Sequence, residues 1–435
     1  MEAQKRKKIV VVGGGFAGIH FIKQMTSNRH FEITLVDRNN YHFFPPLLYQ
    51  VATAFIEASN ITYPFRRMFQ GKKNLRFHLG SLTKVNPHNN TIETDTGVLE
   101  YDYLVLAVGT VTNFFGMENV KRCALPMKTI DDALNMRNHM LLNMEKAVRT
   151  QDMREREKLL NIVIAGGGPT GVEVAGMLAE MGRNLISKEY PEFTTIRPRI
   201  YLVDAGPVLL APMSKKAQAE AYKELEKLGV YIKLDTPVKD YSDGQVMLGN
   251  GETLPTQTLI WASGVTGQEV PGLPAEVIAR GRRIMVDEYN AVKGHPNIFA
   301  LGDICMQTTD AAFPNGHPQL AQVAIQQGKL LAKNLERLQR GEAMKPFTYN
   351  DKGSMAIISK YEAVADLPNM FFKGFLAWVT WLFIHILPIA GFRNKVWLLF
   401  NWFWSFVTND PTLRLIIRPR AVDKPKSEPR QMTAQ

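Results

Sequence analysis

The chain has 435 residues, a formal net charge of +11 and 45% hydrophobic residues, enough for about three domains with buried cores. Its two cysteines, Cys123 and Cys305, form no CxxC pair, which argues against a disulfide scaffold, a zinc site or a redox dithiol and indicates a reducing compartment. The basic start KRKK leads directly into an apolar strand, so we expect no cleaved export signal.

The first predicted strand covers residues 8–12 and is followed by a glycine fingerprint, Gly13-x-Gly15-x-x-Gly18, that opens a helix. In this context the glycines allow a dinucleotide pyrophosphate to lie on the helix N-terminus. The next strand, FEITLVD, ends at Asp37, 19 residues after Gly18. A carboxylate there can accept hydrogen bonds from an adenosine ribose. The stretch NYHFFPPLLYQVATA that follows suits the flat wall of a cofactor site.

A strand over 103–108 then ends in Gly-Thr at Thr110, and a helix is predicted near 130–148. A second glycine fingerprint follows in NIVIAGGGPTGVEVA, at Gly166, Gly168 and Gly171. Two fingerprints, each between an apolar run and a helical pattern, predict that two dinucleotides are held at once.

The strand RIYLVD ends at Asp204, 33 residues after Gly171. This exceeds the expected spacing of roughly 20, so an insertion around 183–198 must loop out. If Asp204 reaches the adenosine ribose, its charge repels a 2′-phosphate and NADH is favoured over NADPH. Three arginines nearby in sequence could reverse this preference: Arg183, Arg197 and Arg199.

Past residue 290, HPNIFALGDIC predicts a strand that ends at Asp303, followed by a helix containing AQVAIQQGKLLAKNL. Two fingerprints, a Gly-Thr strand end before the second and a strand-Gly-Asp segment after it resemble the two-dinucleotide-binding flavoprotein family. Within that family, GGGFAGI, NYHFFPPLLYQVA, GGGPTGVE, WASGV, ALGDIC and AQVAIQQG together resemble type II NADH dehydrogenase. The likeness extends over nearly the whole chain.

The resemblance implies an α/β fold with two Rossmann-like dinucleotide-binding domains and a C-terminal helical membrane-surface segment. We expect an FAD-binding domain in two parts (1–115 and 276–345), a connecting helical segment (116–158), an NADH-binding domain (159–275), a membrane-anchoring region (346–417) and a disordered tail (418–435).

The resemblance also implies a tightly bound FAD against the first fingerprint and the Gly-Asp segment, with NADH against the second fingerprint. The residues expected to hold FAD are Gly13, Gly15, Phe16, Ala17, Gly18, Asp37, Arg38, His42, Thr110, Asp303, Ala321 and Gln322. Those expected on the NADH side are Gly166, Gly168, Pro169, Thr170, Gly171, Glu173, Asp204 and Gly264. No metal site is expected.

Four residues are candidates for catalysis. Glu173, expected in the first turn of its helix, is placed to touch the nicotinamide end, although the helix dipole alone would also favour a carboxylate there. The resemblance assigns Gln322 to the flavin and the quinone carbonyl, with Gln326 one helical turn later; both could instead be ordinary solvent-facing glutamines. Lys352 is expected to supply a cation where reduction develops negative charge.

The C-terminal region holds five of the six tryptophans, at positions 378, 381, 397, 402 and 404, a density typical of a membrane interface. Its first apolar run, 375–390, would reach about 24 Å as a helix, short of the roughly 30 Å hydrocarbon core. From residue 345 onward, 12 Lys+Arg stand against 6 Asp+Glu. Because these basic residues are mixed with long apolar and aromatic stretches, an anionic membrane surface is favoured over nucleic acid, and an ordinary solvated basic tail is the alternative. Two helices that lie on the membrane surface are expected. The alternatives are core helices, a dimer interface or a tilted transmembrane hairpin.

Together with these features, the resemblance implies a non-proton-pumping NADH:quinone oxidoreductase of the respiratory chain, in which a hydride passes from NADH to flavin N5 and two electrons then reach ubiquinone or menaquinone. A homodimer on the cytoplasmic face of a bacterial inner membrane is expected. Two alternatives stay open: a sulfide:quinone oxidoreductase, which needs redox cysteines at the flavin, and a flavoprotein that binds NADH without turnover.

Overall fold

A computed structural model describes residues 6–183, 187–193, 198–408 and 414–417. Its strands are Lys7–Val12 (β1), Phe31–Asp37 (β2), Tyr41–Phe43 (β3), Thr62–Pro64 (β4), Leu75–Leu79 (β5), Leu82–Asn86 (β6), Thr91–Thr94 (β7), Gly97–Glu100 (β8), Tyr103–Leu106 (β9), Thr110–Thr112 (β10), Leu125–Pro126 (β11), Ile162–Ala165 (β12), Ile200–Val203 (β13), Tyr231–Lys233 (β14), Val238–Ser242 (β15), Gln245–Leu248 (β16), Thr253–Pro255 (β17), Thr258–Trp261 (β18), Val265–Gly267 (β19), Ile284–Val286 (β20), Ala291–Val292 (β21), His295–Ala300 (β22), Cys305–Gln307 (β23), Ser354–Ser359 (β24), Glu362–Leu367 (β25) and Met370–Lys373 (β26).

The helices are Phe16–Met25 (α1), Leu48–Ala52 (α2), Ala58–Ile61 (α3), Phe65–Met68 (α4), Glu118–Cys123 (α5), Ile130–Arg149 (α6), Met153–Leu160 (α7), Pro169–Met181 (α8), Ser187–Glu189 (α9), Lys215–Lys227 (α10), Ala321–Gln339 (α11), Gly374–Ile386 (α12) and Phe392–Thr408 (α13). The strands predicted at 8–12 and 103–108 correspond to β1 and β9, and the helix predicted near 130–148 is α6.

The first sheet has the order β23-β20-β21-β22-β9-β1-β2-β5, and its five strands from β22 to β5 pair in parallel. These strands are short β-branched runs such as IVVV, which suit a sheet covered on both faces. Helices α1 and α11 pack together against one face, where Ile9, Phe21 and Phe299 have no exposed surface. Two separate stretches of the chain, 7–106 and 284–339, therefore build one domain.

The second sheet has the order β11-β18-β12-β13-β14, and all its pairs are parallel. Its edge strand β11 lies within 116–158, so that segment does more than connect the two domains. Helix α8 covers one face, and a three-stranded antiparallel sheet, β15-β16-β17, adds to the core on the other. The two parallel sheets confirm the predicted fold class.

The region after residue 346 begins with another antiparallel sheet, β24-β25-β26, before its helices. This sheet packs so closely on α8 that a Cβ on Gly176 would lie 1.6 Å from the Ile358 carbonyl oxygen. The first half of the expected membrane-anchoring region is therefore part of the core beside the second domain.

Helices α12 and α13 are amphipathic in three dimensions. One face is buried, with Trp378, Trp381, Leu398 and Trp402 at most 6% exposed. The other face exposes twelve large apolar side chains: Phe375, Leu376, Phe383, Ile384, Leu387, Phe392, Val396, Trp397, Leu399, Phe400, Phe403 and Trp404. Within the described ranges, no helix combines the length and apolar character needed to cross a bilayer. The predicted disordered tail, 418–435, lies outside the described residues.

Candidate functional site

The first fingerprint forms a tight turn between β1 and α1. Gly13 has φ +104°, and a Cβ there would lie 2.3 Å from the Ala107 carbonyl oxygen; one on Gly18 would lie 2.0 Å from the Gly13 oxygen. A Cβ on Gly15, by contrast, meets no atom within 4 Å. Gly13 and Gly18 are therefore needed for backbone packing, whereas Gly15 leaves open space at the helix N-terminus, where an anion is favoured.

The carboxylate of Asp37 closes one end of this loop. It accepts hydrogen bonds from the backbone N–H of Gly14 (2.6 Å) and of Asn39 (2.8 Å). Burial raises the pKa of Asp37, and the two N–H donors oppose that effect. The carboxylate is thus held beside the glycine turn, at the position expected for contact with a ribose.

His42 supports the same loop from the aromatic segment. Its Nδ1 lies 2.9 Å from the Gly14 carbonyl oxygen, and its ring packs edge-on against Phe16. Burial lowers the pKa of His42 to about 4, so the ring is neutral near pH 7. Because the partner is a carbonyl, Nδ1 carries the hydrogen and donates it.

A cavity of about 390 Å³ extends from this turn toward the end of β22. Ten of the twelve residues expected to hold FAD line it: Gly13, Gly15, Phe16, Ala17, Asp37, Arg38, His42, Thr110, Asp303 and Ala321. The other two, Gly18 and Gln322, do not. A larger cavity of about 1040 Å³, bordered by Arg183, Tyr190 and Arg199, contains none of the expected site residues.

The sequence analysis missed Lys128, which lines the FAD-side cavity. Its Nζ donates to Thr110 Oγ1 at 2.7 Å, and that hydroxyl donates to Asp303 Oδ2 at 3.4 Å. Burial lowers the pKa of Lys128, and the charge of Asp303 opposes this effect. No motif marks Lys128, because β11 and the start of α6 bring it to the cavity only in the folded chain.

The Gly-Asp turn after β22 is held from α11 and the loop before it. Gly302 has φ +72°, and its N–H donates to Gln327 Oε1 at 2.7 Å. Gln319 Nε2 donates to the Asp303 carbonyl at 2.9 Å. Both glutamines were absent from the predicted site, and they orient the turn that carries Asp303.

The second fingerprint repeats the geometry of the first. A Cβ on Gly171 would lie 1.8 Å from the Gly166 carbonyl oxygen, whereas one on Gly168 meets nothing within 4 Å. Asp204 accepts hydrogen bonds from the N–H groups of Gly167 and Gly206, as Asp37 does from Gly14 and Asn39. Pro169 begins α8 with exposed Thr170 beside it, and Gly264, φ +155°, follows the neighbouring strand β18.

Two of the three arginines that could reverse the nucleotide preference face elsewhere. Arg199 precedes β13, at the opposite end from Asp204, and pairs with Glu157 at 2.7 Å. Arg183 donates to the Lys227 carbonyl at 2.6 Å. Arg197 lies outside the described residues. Asp204 thus lies beside the second glycine turn, whereas the two described arginines bind other partners.

Asp204→Asn is expected to lower the ratio of kcat/KM for NADH to that for NADPH by roughly tenfold, because it removes a charge that repels the 2′-phosphate. Arg199→Ala serves as the matched control, since Arg199 lies at the far end of the same strand. Steady-state kinetics with both nucleotides checks the pair. If the NADH-to-NADPH ratio of kcat/KM changes in Arg199→Ala and stays constant in Asp204→Asn, then Arg199 and not Asp204 determines the nucleotide preference.

Glu173 lies beyond the first turn of α8, not within it as expected, because the helix begins at Pro169. The side chain is half-buried and accepts a hydrogen bond from the Ile357 backbone N–H. Burial raises the pKa of Glu173 to about 8. Burial thus favours the neutral form of this carboxyl, whereas the positive end of the helix dipole would favour the charged form.

The two glutamines of α11 differ in what they contact. Gln326 exchanges two hydrogen bonds with the Asn350 backbone, at 2.9 and 3.1 Å, so both ends of its amide are used. Gln322 Nε2 donates to the Gly353 carbonyl at 3.3 Å, but its buried Oε1 has no hydrogen-bond partner in the described part of the chain. Gln322 thus keeps one polar atom available.

A short segment, 350–357, connects these candidates. It contacts Gln326 at Asn350, Gln322 at Gly353 and Glu173 at Ile357. Lys352 lies in the same segment with an exposed side chain and does not line the FAD-side cavity. The assignment of Lys352 stays a prediction.

Two glycine turns of matching geometry, each beside a carboxylate, define an oxidoreductase of the two-dinucleotide class. Residues 7–328 match the family model described as pyridine nucleotide-disulphide oxidoreductase, and residues 352–409 match an NDH2 C-terminal domain model. Together with the relatives described next, these matches show that the chain belongs to the type II NADH:quinone oxidoreductase family.

Several curated relatives carry that family name, including the following two. The chain is 34% identical over 419 residues to the type II NADH:quinone oxidoreductase NdhA of Mycobacterium tuberculosis, covering 92% of this chain and 87% of the relative. It is 30% identical over 368 residues to the Staphylococcus aureus protein, covering 83% and 90%.

Solved structures share the fold. NDH2 from Plasmodium falciparum in complex with NADH has a TM-score of 0.86 at 22% identity, over 95% of this chain and 100% of that one. The sulfide:quinone oxidoreductase of Aquifex aeolicus has a TM-score of 0.71 at 19% identity, over 89% and 92%. The fold therefore does not separate these two activities.

Proposed function

We propose that this protein is a non-proton-pumping NADH:quinone oxidoreductase. The observation that carries the proposal is that Glu173, beside the second glycine turn, and Gln322, beside the first domain's cavity, both contact segment 350–357. A bound FAD would accept a hydride from NADH and deliver two electrons to a quinone. The substrates are assigned from the family relationship and from the two glycine turns.

The residues of the first cavity fit FAD. The open space over Gly15 would take the pyrophosphate on the N–H groups of the α1 N-terminus. Asp37 would accept hydrogen bonds from ribose hydroxyls, and the Asp303–Thr110–Lys128 chain would contact the polar middle of the cofactor. A half-buried cation and a half-buried carboxylate joined by one hydroxyl leave polar atoms for a polar ligand.

On the NADH side, the open space over Gly168 and the carboxylate of Asp204 would hold the adenosine half. Glu173 would contact the nicotinamide end and hold a proton at its carboxyl. Gln322 would direct its unpartnered Oε1 toward the flavin and the quinone. An amide oxygen only accepts, so Oε1 suits the hydroxyl of a reduced quinone, and the Nε2 hydrogen that Gly353 does not use suits the carbonyl of the oxidised quinone.

The exposed face of α12 and α13 supports attachment to a membrane surface. Twelve large apolar side chains on two adjacent helices exceed the scattered apolar exposure of an ordinary surface, and the basic residues Arg393 and Lys395 lie at the start of α13. Monotopic binding would give a lipid-soluble quinone access to the flavin. We further propose a homodimer on the cytoplasmic face of the inner membrane.

The sulfide-oxidising alternative requires redox cysteines at the flavin. Both cysteines are free; Cys123 is exposed on α5, and Cys305 is buried on β23. Burial raises the pKa of Cys305 to about 11, which disfavours the nucleophilic thiolate. Sulfide-dependent quinone reduction by the purified protein would support this alternative.

The second alternative is a flavoprotein that binds NADH without turnover. Its flavin bands would bleach with NADH and would not return when quinone is added.

Glu173→Gln provides the sharpest test of the proposed chemistry. NADH, a quinone and one proton give NAD⁺ and a hydroquinone, so if the Glu173 carboxyl supplies that proton, kcat with a soluble quinone falls as pH rises through about 8, where Glu173 loses its proton. The kcat of Glu173→Gln should be lower than that of the native protein by on the order of 10²-fold. It should also not fall further as the pH rises through this range. A native pH profile in a flavin-loaded Glu173→Gln variant would remove Glu173 from the mechanism.

A further inference from the structure

A phenylalanine in the turn between β10 and α5 is exposed and has an unusual backbone conformation. Phe115 is 60% exposed, and its φ of +51° lies in the left-handed region, which bulky side chains adopt only at an energetic cost. Its neighbour Phe114 stacks on Trp261 and packs against the core of the second domain. Phe115 meets the same indole edge-on, with ring centroids 6.4 Å apart. Core packing therefore accounts for Phe114 and leaves the exposed ring of Phe115 unexplained.

Hydrogen bonds fix this turn to the end of β18. The Asn113 backbone N–H donates to the Gly264 carbonyl oxygen at 3.1 Å, and Trp261 Nε1 donates to the Asn113 carbonyl oxygen at 2.8 Å. Within the turn, the Phe115 backbone N–H donates to Asn113 Oδ1 at 2.9 Å. The fold itself therefore sets the position from which the Phe115 ring projects.

The Phe115 ring lies over the segment that follows β18, residues 262–264. A Cβ on Gly264 would lie 3.0 Å from Cζ of the Phe115 ring. The second glycine turn contacts the same segment, since a Cβ on Gly166 would lie 2.6 Å from the Ala262 carbonyl oxygen. An exposed aromatic ring and the second glycine turn therefore both contact one stretch of three residues.

The strand order shows which half of a dinucleotide this ring can meet. Strand β12 leads into the glycine turn, with β13 on one side of it and β18 on the other. Ligands of parallel α/β sheets bind outside the carboxyl ends of the strands. Because Asp204, at the end of β13, is placed for the adenosine ribose, the other half of the same dinucleotide extends past the glycine turn toward β18. The nicotinamide half is therefore the half that reaches Phe115.

Strand β10 connects this ring with the first domain's cavity. Thr110, at the start of β10, lines the FAD-side cavity, and β10 pairs with β19, which follows segment 262–264. Phe115 comes five residues after Thr110, so the chain between them spans at most about 18 Å. The ring is therefore close to the region where a nicotinamide has to meet a flavin bound in that cavity.

We propose that Phe115 is a substrate-binding residue whose ring packs against the nicotinamide half of NADH and holds it at the end of β18. This inference rests on the NADH site proposed above. A phenyl ring offers a large, rigid apolar surface to a flat heterocycle, and a fixed contact of this kind orients the reacting end of a substrate. The left-handed conformation of Phe115 is the cost of presenting the ring from a tight turn.

Phe115→Asn tests the inference, with Tyr361→Asn as its matched control. Asparagine adopts the left-handed conformation more readily than phenylalanine, so the substitution removes the ring and keeps the turn. Tyr361 is also an exposed aromatic residue with a left-handed backbone, 39% exposed and with φ +67°, but it lies in the turn between β24 and β25. Phe115→Gly, which allows the same backbone conformation, replaces Phe115→Asn if that variant does not fold.

The readout is equilibrium binding to the oxidised, FAD-loaded, full-length protein. Calorimetric titration with NAD⁺ measures the whole dinucleotide, and titration with ADP measures its adenosine half alone. In Phe115→Asn we expect the Kd of NAD⁺ to rise roughly tenfold and the Kd of ADP to stay constant. Both constants should be native in Tyr361→Asn. Phe115→Tyr, which keeps the ring, should bind NAD⁺ with the native Kd.

Stability and kinetics separate this binding role from a structural one. The Tm of Phe115→Asn should not fall, because the substitution relieves an unfavourable backbone conformation. In turnover, its KM for NADH should rise while its KM for a soluble quinone stays constant. An unchanged Kd for NAD⁺ in Phe115→Asn, or equal increases for NAD⁺ and ADP, would overturn the inference. Failure of the proposed function would instead appear as a native protein that binds NAD⁺ and does not reduce quinone with NADH.

Discussion

Gly15→Val is expected to yield a folded protein with less than about a tenth of the native flavin content. A Cβ at this position meets no protein atom within 4 Å, so the fold tolerates the side chain, whereas the pyrophosphate would lose its space beside the helix N-terminus. The flavin absorbance of the purified protein, divided by its protein absorbance, measures the effect. Circular dichroism establishes that the fold is kept.

Two other glycines make this experiment specific. Gly18→Val should destabilise the protein itself, because a Cβ there would lie 2.0 Å from the Gly13 oxygen. Gly168→Val should keep its flavin and lose reduction by NADH, since Gly168 has the same open space in the second turn. A Gly15→Val protein with full yellow colour, or a flavin-free Gly168→Val protein, would show that the two turns have been assigned to the wrong cofactors.

Replacing Phe383, Phe392 and Phe403 together by glutamate is expected to reduce binding to liposomes by at least ~100-fold. These rings are 71%, 82% and 64% exposed, and burying one large apolar side chain contributes about 1.5 to 3 kcal/mol. Co-sedimentation with liposomes measures the loss. Flavin content and reduction by NADH should persist, because none of the three rings lines the FAD-side cavity.

Val98→Glu is a suitable control, since Val98 is 64% exposed on β8 of a separate small sheet. Oxidation of NADH by a long-tailed quinone in liposomes should be slower in the triple variant. Oxidation of NADH by a small soluble acceptor should be unchanged. Deletion of both helices is a less clean experiment, because it would also uncover the core against which Trp381 and Trp402 pack. A triple variant that still sediments with liposomes and stays folded would assign this face to another contact, such as a dimer interface.

The structure has the two glycine turns at the positions that local sequence patterns predicted. The spacing within each fingerprint prescribes which glycine packs on backbone and which leaves open space, and that geometry depends on residues within one turn of each other. Asp37 and Asp204 were found in the same way, because each ends the strand next to its turn. Both positions follow from strand length and from parallel pairing of neighbouring strands.

Only the tertiary structure shows which candidate side chains are buried and which have hydrogen-bond partners. A density of tryptophans predicts an interface, but only packing separates buried Trp381 and Trp402 from exposed Trp397. Sequence also could not tell that Gln326 is fully used by Asn350 while Gln322 keeps an unpartnered oxygen.

The sequence could not predict the position of Lys128, nor the buried hydrogen bonds from Trp402 to Gln50 and from Gln50 to Tyr49. One physical reason applies to both. Helical and strand periodicities record which face of an element is apolar, and they carry no information about which distant element covers that face. Trp402 and Gln50 are 352 positions apart, and their hydrogen bond exists because α13 and α2 bury their apolar faces in one core. Burial then makes it costly to leave their polar atoms unpaired.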